Sequence, residues 1–240
     1  MTTITSALQA VKDRILAAAA QNGRSAQSVQ LLAVSKTFPP AAVREAFLAG
    51  QTKFGESYVQ EALAKIAELR DLPLEWHFIG PLQSNKTRQV AEHFAWVHSV
   101  DRAKIAARLS AARPAELPPL QLCLQVNVSG EASKGGVAPE EAEALAARVA
   151  SLPRLQLRGL MAIPAPTEDV ALQRRQFRIV ARLLASLNRR NFHLDTLSMG
   201  MSDDMEAAIA EGATIVRIGS AIFGARTYPA KTPPADTQTA

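Results

Sequence analysis

Gln30-Leu31-Leu32-Ala33-Val34-Ser35-Lys36 is a short apolar run that ends in a lysine, and Pro39-Pro40 follows soon after to open a helical stretch. A run of this length bounded by turn residues reads as a buried strand, and proline suits the first helical position, where its missing N–H costs nothing. The same unit recurs along the chain. Strand-like runs fall near 30–35, 52–55, 75–79, 95–99, 120–127, 155–162, 195–198 and 214–217, with amphipathic stretches between them. A leading helix is expected over residues 4–21, Ser84 and Asp101 are candidate N-caps, and Pro139 with Glu140 and Glu141 opens a further helix. Consecutive parallel strands need helical crossovers, so eight alternations within about 200 residues predict a single (β/α)8 TIM barrel. A doubly wound open sheet is the alternative, because the second and seventh strands are short. Residues 1–226 would form the barrel with its N-terminal helix, and residues 227–240, rich in Pro, Thr and Ala, a disordered tail.

The composition bounds the class. With 240 residues, 48% of them hydrophobic and 20% charged, the chain is able to bury a sizeable core. Its formal charge of +5 is spread over mixed-sign helices, which favours anionic ligands without indicating a nucleic-acid partner. Lys12, Asp13 and Arg14 interrupt the first apolar stretch, which lacks the order of a signal peptide, and no stretch reaches the roughly 18 uncharged apolar residues of a membrane span. Cys123 stands alone in an apolar run and reads as a small core residue. These features predict a cytoplasmic protein without a membrane partner, and a monomer, since no apolar helix face stands out. His93 and His98 are not at metal-ligand spacing and His193 stands alone, so no metal site is expected. Trp76 and Trp96, at the starts of strands three and four, are expected to pack against the helical shell.

In a barrel, functional side chains project from the C-terminal ends of the strands. By that rule Lys36, Glu56, His77, Asn127, Met161, Ser198 to Ser202, Arg217, Gly219 and Ser220 collect on one rim. A lysine in a dry pocket loses its proton more readily than in water, and the neutral amine attacks aldehydes. The plainer role for Lys36 is a strand-end ammonium reaching solvent. Two loops, Ser198-Met199-Gly200-Met201-Ser202 and Arg217-Ile218-Gly219-Ser220, look built for an anion, since a glycine turn before a helix start exposes backbone N–H groups. Ordinary capping by Ser202, with Asp203 and Asp204 complementing the helix dipole, explains either loop singly. Together, with a lysine across the same rim, they favour a phosphorylated aldehyde. A Schiff-base aldolase without a cofactor is a further possibility.

These residues carry a resemblance. Trp76-His77-Phe78-Ile79-Gly80-Pro81-Leu82-Gln83-Ser84-Asn85-Lys86 matches the signature of the pyridoxal phosphate homeostasis family, as do Ala33-Val34-Ser35-Lys36, Phe54-Gly55-Glu56, Gly159-Leu160-Met161, Ser198-Met199-Gly200-Met201-Ser202 and Val216-Arg217-Ile218-Gly219. The likeness runs from about Leu31 to Arg226. Ser57 departs from the asparagine more usual in the family but keeps a hydroxyl.

The resemblance implies a barrel like the N-terminal domain of alanine racemase, holding pyridoxal 5′-phosphate (PLP) as a Schiff base on Lys36. It implies that Met201, Ser202, Gly219 and Ser220 hold the phosphate and that Arg217 faces the pyridine nitrogen, with Ser57, His77, Asn85 and Met161 as candidates for the cofactor rim. An arginine cannot accept a proton from the ring, which makes the cofactor a weaker electron sink. Racemisation needs an acid/base group on each face of the intermediate, and the partner-supplied group of the racemases has no counterpart here beyond Tyr58 and His77. His77 is expected instead to donate an N–H to a strand-end carbonyl, and Tyr58 to pack at the barrel mouth with a wet hydroxyl. Lys134 stands in a loop that would serve as a lid or simply be solvated. The function expected is sequestration and supply of PLP, with PLP-dependent apo-enzymes as candidate recipients; a slow PLP-dependent amino-acid racemase is the alternative.

Overall fold

A computed structural model describes residues 3–131 and 135–225; the expected tail and the Lys134 loop lie outside them. Eight parallel strands close a barrel in sequence order. They are β1 (Gln30–Val34), β2 (Lys53–Glu56), β3 (Glu75–Phe78), β4 (Trp96–Val100), β5 (Leu120–Gln125), β6 (Leu155–Met161), β7 (Thr196–Ser198) and β8 (Ile215–Ile218). The ring closes where β1 pairs with β8, Leu31 opposite Val216 and Ala33 opposite Ile218. Closure settles the choice against the open sheet.

Nine helices are found among the described residues. In chain order they are α1 (Ile4–Gln21), α2 (Pro40–Leu48), α3 (Val59–Glu68), α4 (Thr87–His93), α5 (Ala103–Ala112), α6 (Ala142–Ala150), α7 (Val170–Asn188), α8 (Met205–Ala210) and α9 (Ser220–Phe223). Pro39-Pro40 opens α2, with Pro39 at the cap, and Pro139 starts a 3₁₀ turn that runs into α6. Two expected caps differ. Neither Ser84 nor Asp101 caps a helix through its side chain: α4 begins after a 3₁₀ turn at Ser84–Lys86, and the Asp101 carboxylate pairs with Arg102 at 2.7 Å instead. A neighbouring cation outcompetes the backbone N–H groups for that carboxylate.

Alternation along the strands divides the core in two. Outward-facing residues such as Phe54, Phe78, Val97, Leu122 and Leu160 pack against the helices in one continuous apolar layer. Burying one such side chain contributes about 1.5–3 kcal/mol. The barrel interior is separate, with Trp96, Cys123 and Met161 packed together in it. Trp96 therefore fills the barrel rather than the shell: its ring stacks on His77 at 5.4 Å, whereas Trp76 does pack outward, against Phe54. Cys123 is buried as expected, and burial pushes its thiol up to about 12, so it is an inert core residue. No helix among the described residues is long and apolar enough to cross a membrane.

Candidate functional site

A cavity of ≈ 290 Å³ opens at the C-terminal end of the barrel, lined by Lys36, Ser57, Met201, Ser202, Arg217, Gly219 and Ser220, with Val34, Ile79 and Ile163 as apolar walls. All six residues expected to hold the cofactor, and Ser57 from the expected rim, meet in this one place.

Lys36 follows β1 on a backbone gripped from both sides. The buried ammonium of Lys65, on α3, donates to the Ser35 carbonyl at 2.7 Å, to Glu56 Oε1 at 2.8 Å and to Glu61 Oε1 at 2.6 Å. Glu61 in turn accepts the Thr37 N–H at 2.6 Å, and Thr37 holds a left-handed φ of 70°. The residues before and after Lys36 are thus tied to one ion cluster. Ser35 Oγ adds a bond to Glu56 Oε1 at 2.6 Å. Glu56 is 0% and Lys65 3% exposed, and burial raises the Glu56 carboxyl against the opposing pull of Lys65. Glu56 Oε2 is buried without a hydrogen-bond partner among the described residues. Sequence reasoning missed Lys65 entirely. The only signal was Glu61 four residues before it on a helix, the spacing of an ordinary surface pair.

The loop after β7 turns at Gly200, whose φ of 94° and whose position, with an added Cβ only 2.6 Å from the Ala208 Cβ, admit no side chain. The Gly200 carbonyl accepts the Arg217 N–H at 2.9 Å, which joins the loop after β7 to β8. The Ser202 and Ser220 hydroxyls lie 3.3 Å apart. Ser202 does not cap α8, whose N-cap is Asp204. The Met201 N–H already donates to Asp204 Oδ1 at 2.5 Å, so this amide is engaged within the loop, and the Ser202 hydroxyl lies on the cavity lining. Burial raises the Asp204 carboxyl. From α1, Arg14 braces the loop by donating to the Ser202 carbonyl at 3.2 Å and pairing with Glu206.

Arg217 forms the floor of the cavity and is 4% exposed. Nη1 donates to Ser198 O at 2.5 Å and Ser198 Oγ at 2.8 Å, and Nη2 donates to Ala162 O at 2.9 Å. Its Nε and second Nη2 hydrogens have no protein acceptor among the described residues. Burial lowers its pKa to about 10, so it remains a cation at neutral pH.

Three expected rim residues lie elsewhere. His77 is fully buried inside the barrel, with Nδ1 2.9 Å from His98 Nε2 and Nε2 2.8 Å from Glu75 Oε1, so its partners are side chains and not a strand-end carbonyl. Met161 is buried against Trp96 and Cys123. Asn85 sits in the 3₁₀ turn before α4, outside the cavity lining. Tyr58 is 50% exposed beside Ser57 at the mouth, as expected.

Chemically, an amine, paired hydroxyls and a guanidinium that can only donate converge on an apolar-walled cavity. A family model described as alanine racemase, N-terminal domain, matches residues 7–227. A pyridoxal phosphate homeostasis protein from Pseudomonas aeruginosa is 65% identical over 228 residues, covering 95% of this chain and 98% of that protein. Its namesake from Escherichia coli is 58% identical over 227 residues, covering 93% of this chain and 97% of that protein. PipY from Synechococcus elongatus, whose structure was solved with PLP bound, is 41% identical and superposes with a TM-score of 0.81 over 92% of this chain and 100% of that one.

Proposed function

The chain belongs to the pyridoxal phosphate homeostasis family, built on the alanine racemase N-terminal domain, and from that premise we propose that it binds PLP, holds it, and supplies it to PLP-dependent apo-enzymes as a cytoplasmic monomer. The observation that carries this reading is the convergence of Lys36 and the Ser202–Ser220 hydroxyl pair on one cavity of single-ring size. These groups fit the ligand. Lys36 would hold the cofactor through its amine, the group that pairs with an aldehyde. Ser202, Ser220 and the backbone around Gly219 accommodate the phosphate. Apolar Val34, Ile79 and Ile163 wall the ring and limit water.

Arg217 is the group for the pyridine nitrogen. Bound PLP supplies an electrophilic aldehyde and an electron sink, and a guanidinium beside the ring nitrogen keeps that sink weak, because arginine donates a hydrogen bond but accepts no proton. Such a site favours holding the cofactor over transforming amino acids on it. The Lys65 cluster keeps the Lys36 backbone in place while Ser57 and Tyr58 leave the mouth open.

Borohydride treatment of the PLP-loaded protein, then peptide mapping by mass spectrometry, is expected to place the reduced adduct on the peptide containing Lys36. An adduct located elsewhere, or none, would overturn the assignment. Exchange of amino-acid α-hydrogens into deuterated water at an enzymatic rate would replace holding with catalysis.

A further inference from the structure

Five side chains link the exposed end of the barrel to its pocket. Glu75 Oε1 lies 2.8 Å from His77 Nε2, His77 Nδ1 lies 2.9 Å from His98 Nε2, His98 Nδ1 lies 2.7 Å from Ser198 Oγ, and Ser198 Oγ accepts from Arg217 Nη1 at 2.8 Å. His77, His98, Ser198 and Arg217 are all buried, and only Glu75 reaches water, at the start of β3. No two of the three central groups are neighbours in sequence; closure of the barrel brings them into line.

The direction of this line is forced by its ends. Arginine has donors only, and an ionised carboxylate has acceptors only. Burial lowers the pKa of both histidines, and the hydrogen bond from His77 holds Glu75 at about 2, so at neutral pH the rings are uncharged and the carboxylate is ionised. A neutral His77 must then carry its proton on Nε2, facing Glu75, which leaves Nδ1 as an acceptor for His98 Nε2–H. His98 Nδ1 is therefore an acceptor, and the Ser198 hydroxyl must donate to it. Every group turns its acceptor towards Arg217 and its donor towards Glu75. Dipoles aligned in this sense reinforce one another and stabilise the buried guanidinium, which has no carboxylate hydrogen-bonded to it among the described residues.

We propose that Glu75, His77, His98 and Ser198 are positioning residues that act in series on Arg217, so that a carboxylate at the far end of the barrel governs how the guanidinium meets the ring of a bound cofactor. This rests on the PLP-binding reading. A proton added to either ring turns an acceptor into a donor and breaks the series at that link. A neutral amide in place of Glu75 removes the forced direction without removing bulk, because glutamine both donates and accepts.

The test has two arms. Nitrogen-15 NMR of the ligand-free protein is expected to show Nε2–H tautomers for both His77 and His98 in the wild type, and a second tautomer in each ring of Glu75→Gln. In PLP-loaded protein, Glu75→Gln and His98→Asn are expected to shift the absorption band of the bound cofactor or its pH midpoint and to change the cofactor dissociation rate by about fivefold, the scale of one neutral hydrogen bond. Asp71→Asn, which disrupts a surface ion pair with Arg44 away from this series, is expected to do neither. An Nδ1–H tautomer in either wild-type ring overturns the proposal, as does a Glu75→Gln protein whose tautomers and bound-cofactor spectrum match the wild type. A protein that takes up no PLP overturns the functional reading instead, and the ligand-free arm then decides the series.

Discussion

Ser202 and Ser220 present their hydroxyls to each other at 3.3 Å from loops on two different strands, although 18 residues separate them. Two hydroxyls at this separation can converge on one phosphate oxygen or bridge two. Each hydrogen bond to a charged group contributes about 1.5–3 kcal/mol. The double variant Ser202→Ala/Ser220→Ala is therefore expected to weaken PLP binding by about 100-fold or more, with weak competition by inorganic phosphate lost in parallel. Absorption titration measures both; an unchanged affinity would move the phosphate elsewhere.

Lys65→Met leaves Glu56 buried beside an apolar side chain, takes the donor from the Ser35 carbonyl and takes the cation from Glu61, the acceptor of the Thr37 N–H. Breaking a buried pair by removing one partner costs about 3–5 kcal/mol. A drop of that size in the denaturant-unfolding free energy is expected, with partial recovery in Lys65→Met/Glu56→Gln, where the uncompensated charge is gone. Recovery in the double variant is what separates a charge effect from lost packing.

Acidification should unfold the protein in a defined window. Desolvation holds His77 and His98 below 6.5 in the fold; Lys53, Arg217 and the ring-to-ring contact push the same way, and Glu75 opposes at His77. Unfolded rings take up protons as the pH falls through 6.5 and folded rings do not, so stability present above that pH is lost below it, at up to about 1.4 kcal/mol per pH unit for each ring. Glu75, held at about 2 against an ordinary 4.5, adds a second loss at lower pH. Urea midpoints measured between about pH 7.5 and 5.5 are expected to fall in the wild type and to flatten in His98→Asn. A flat wild-type profile would mean that the rings are not held neutral.

Gly200→Ala puts a Cβ where φ is 94° and the Ala208 methyl is 2.6 Å away. Left-handed strain and overpacking together cost about 2–4 kcal/mol. Thermal unfolding should register this loss. Because the same turn aims Met201 and Ser202 at the cavity, PLP affinity should fall with it.

The strands were legible because short apolar runs between prolines, glycines and helical periods have few other readings; even three-residue β7, expected at 195–198, lies at Thr196–Ser198. The cavity residues were legible because strand ends collect on one face of a parallel barrel. What stayed hidden depends on closure. Whether Trp96 and His77 point into the barrel or the shell is a matter of strand parity, and alternation alone does not say which face is inner. Lys65 was hidden for another reason: nothing in Glu61-Ala62-Leu63-Ala64-Lys65 announces that its ammonium folds beneath β1 and β2. Asp101 shows local chemistry overriding a local rule, since Arg102 claims the carboxylate that capping would have used.

The pairing of β1 with β8 has a developmental consequence. Lys36 follows the first strand, while Arg217, Gly219 and Ser220 belong to the last, so the pocket straddles the seam where the ring is sewn shut. A growing polypeptide holds Lys36 long before it holds Arg217, Gly219 and Ser220, so this pocket comes into being only when the eighth strand docks on the first.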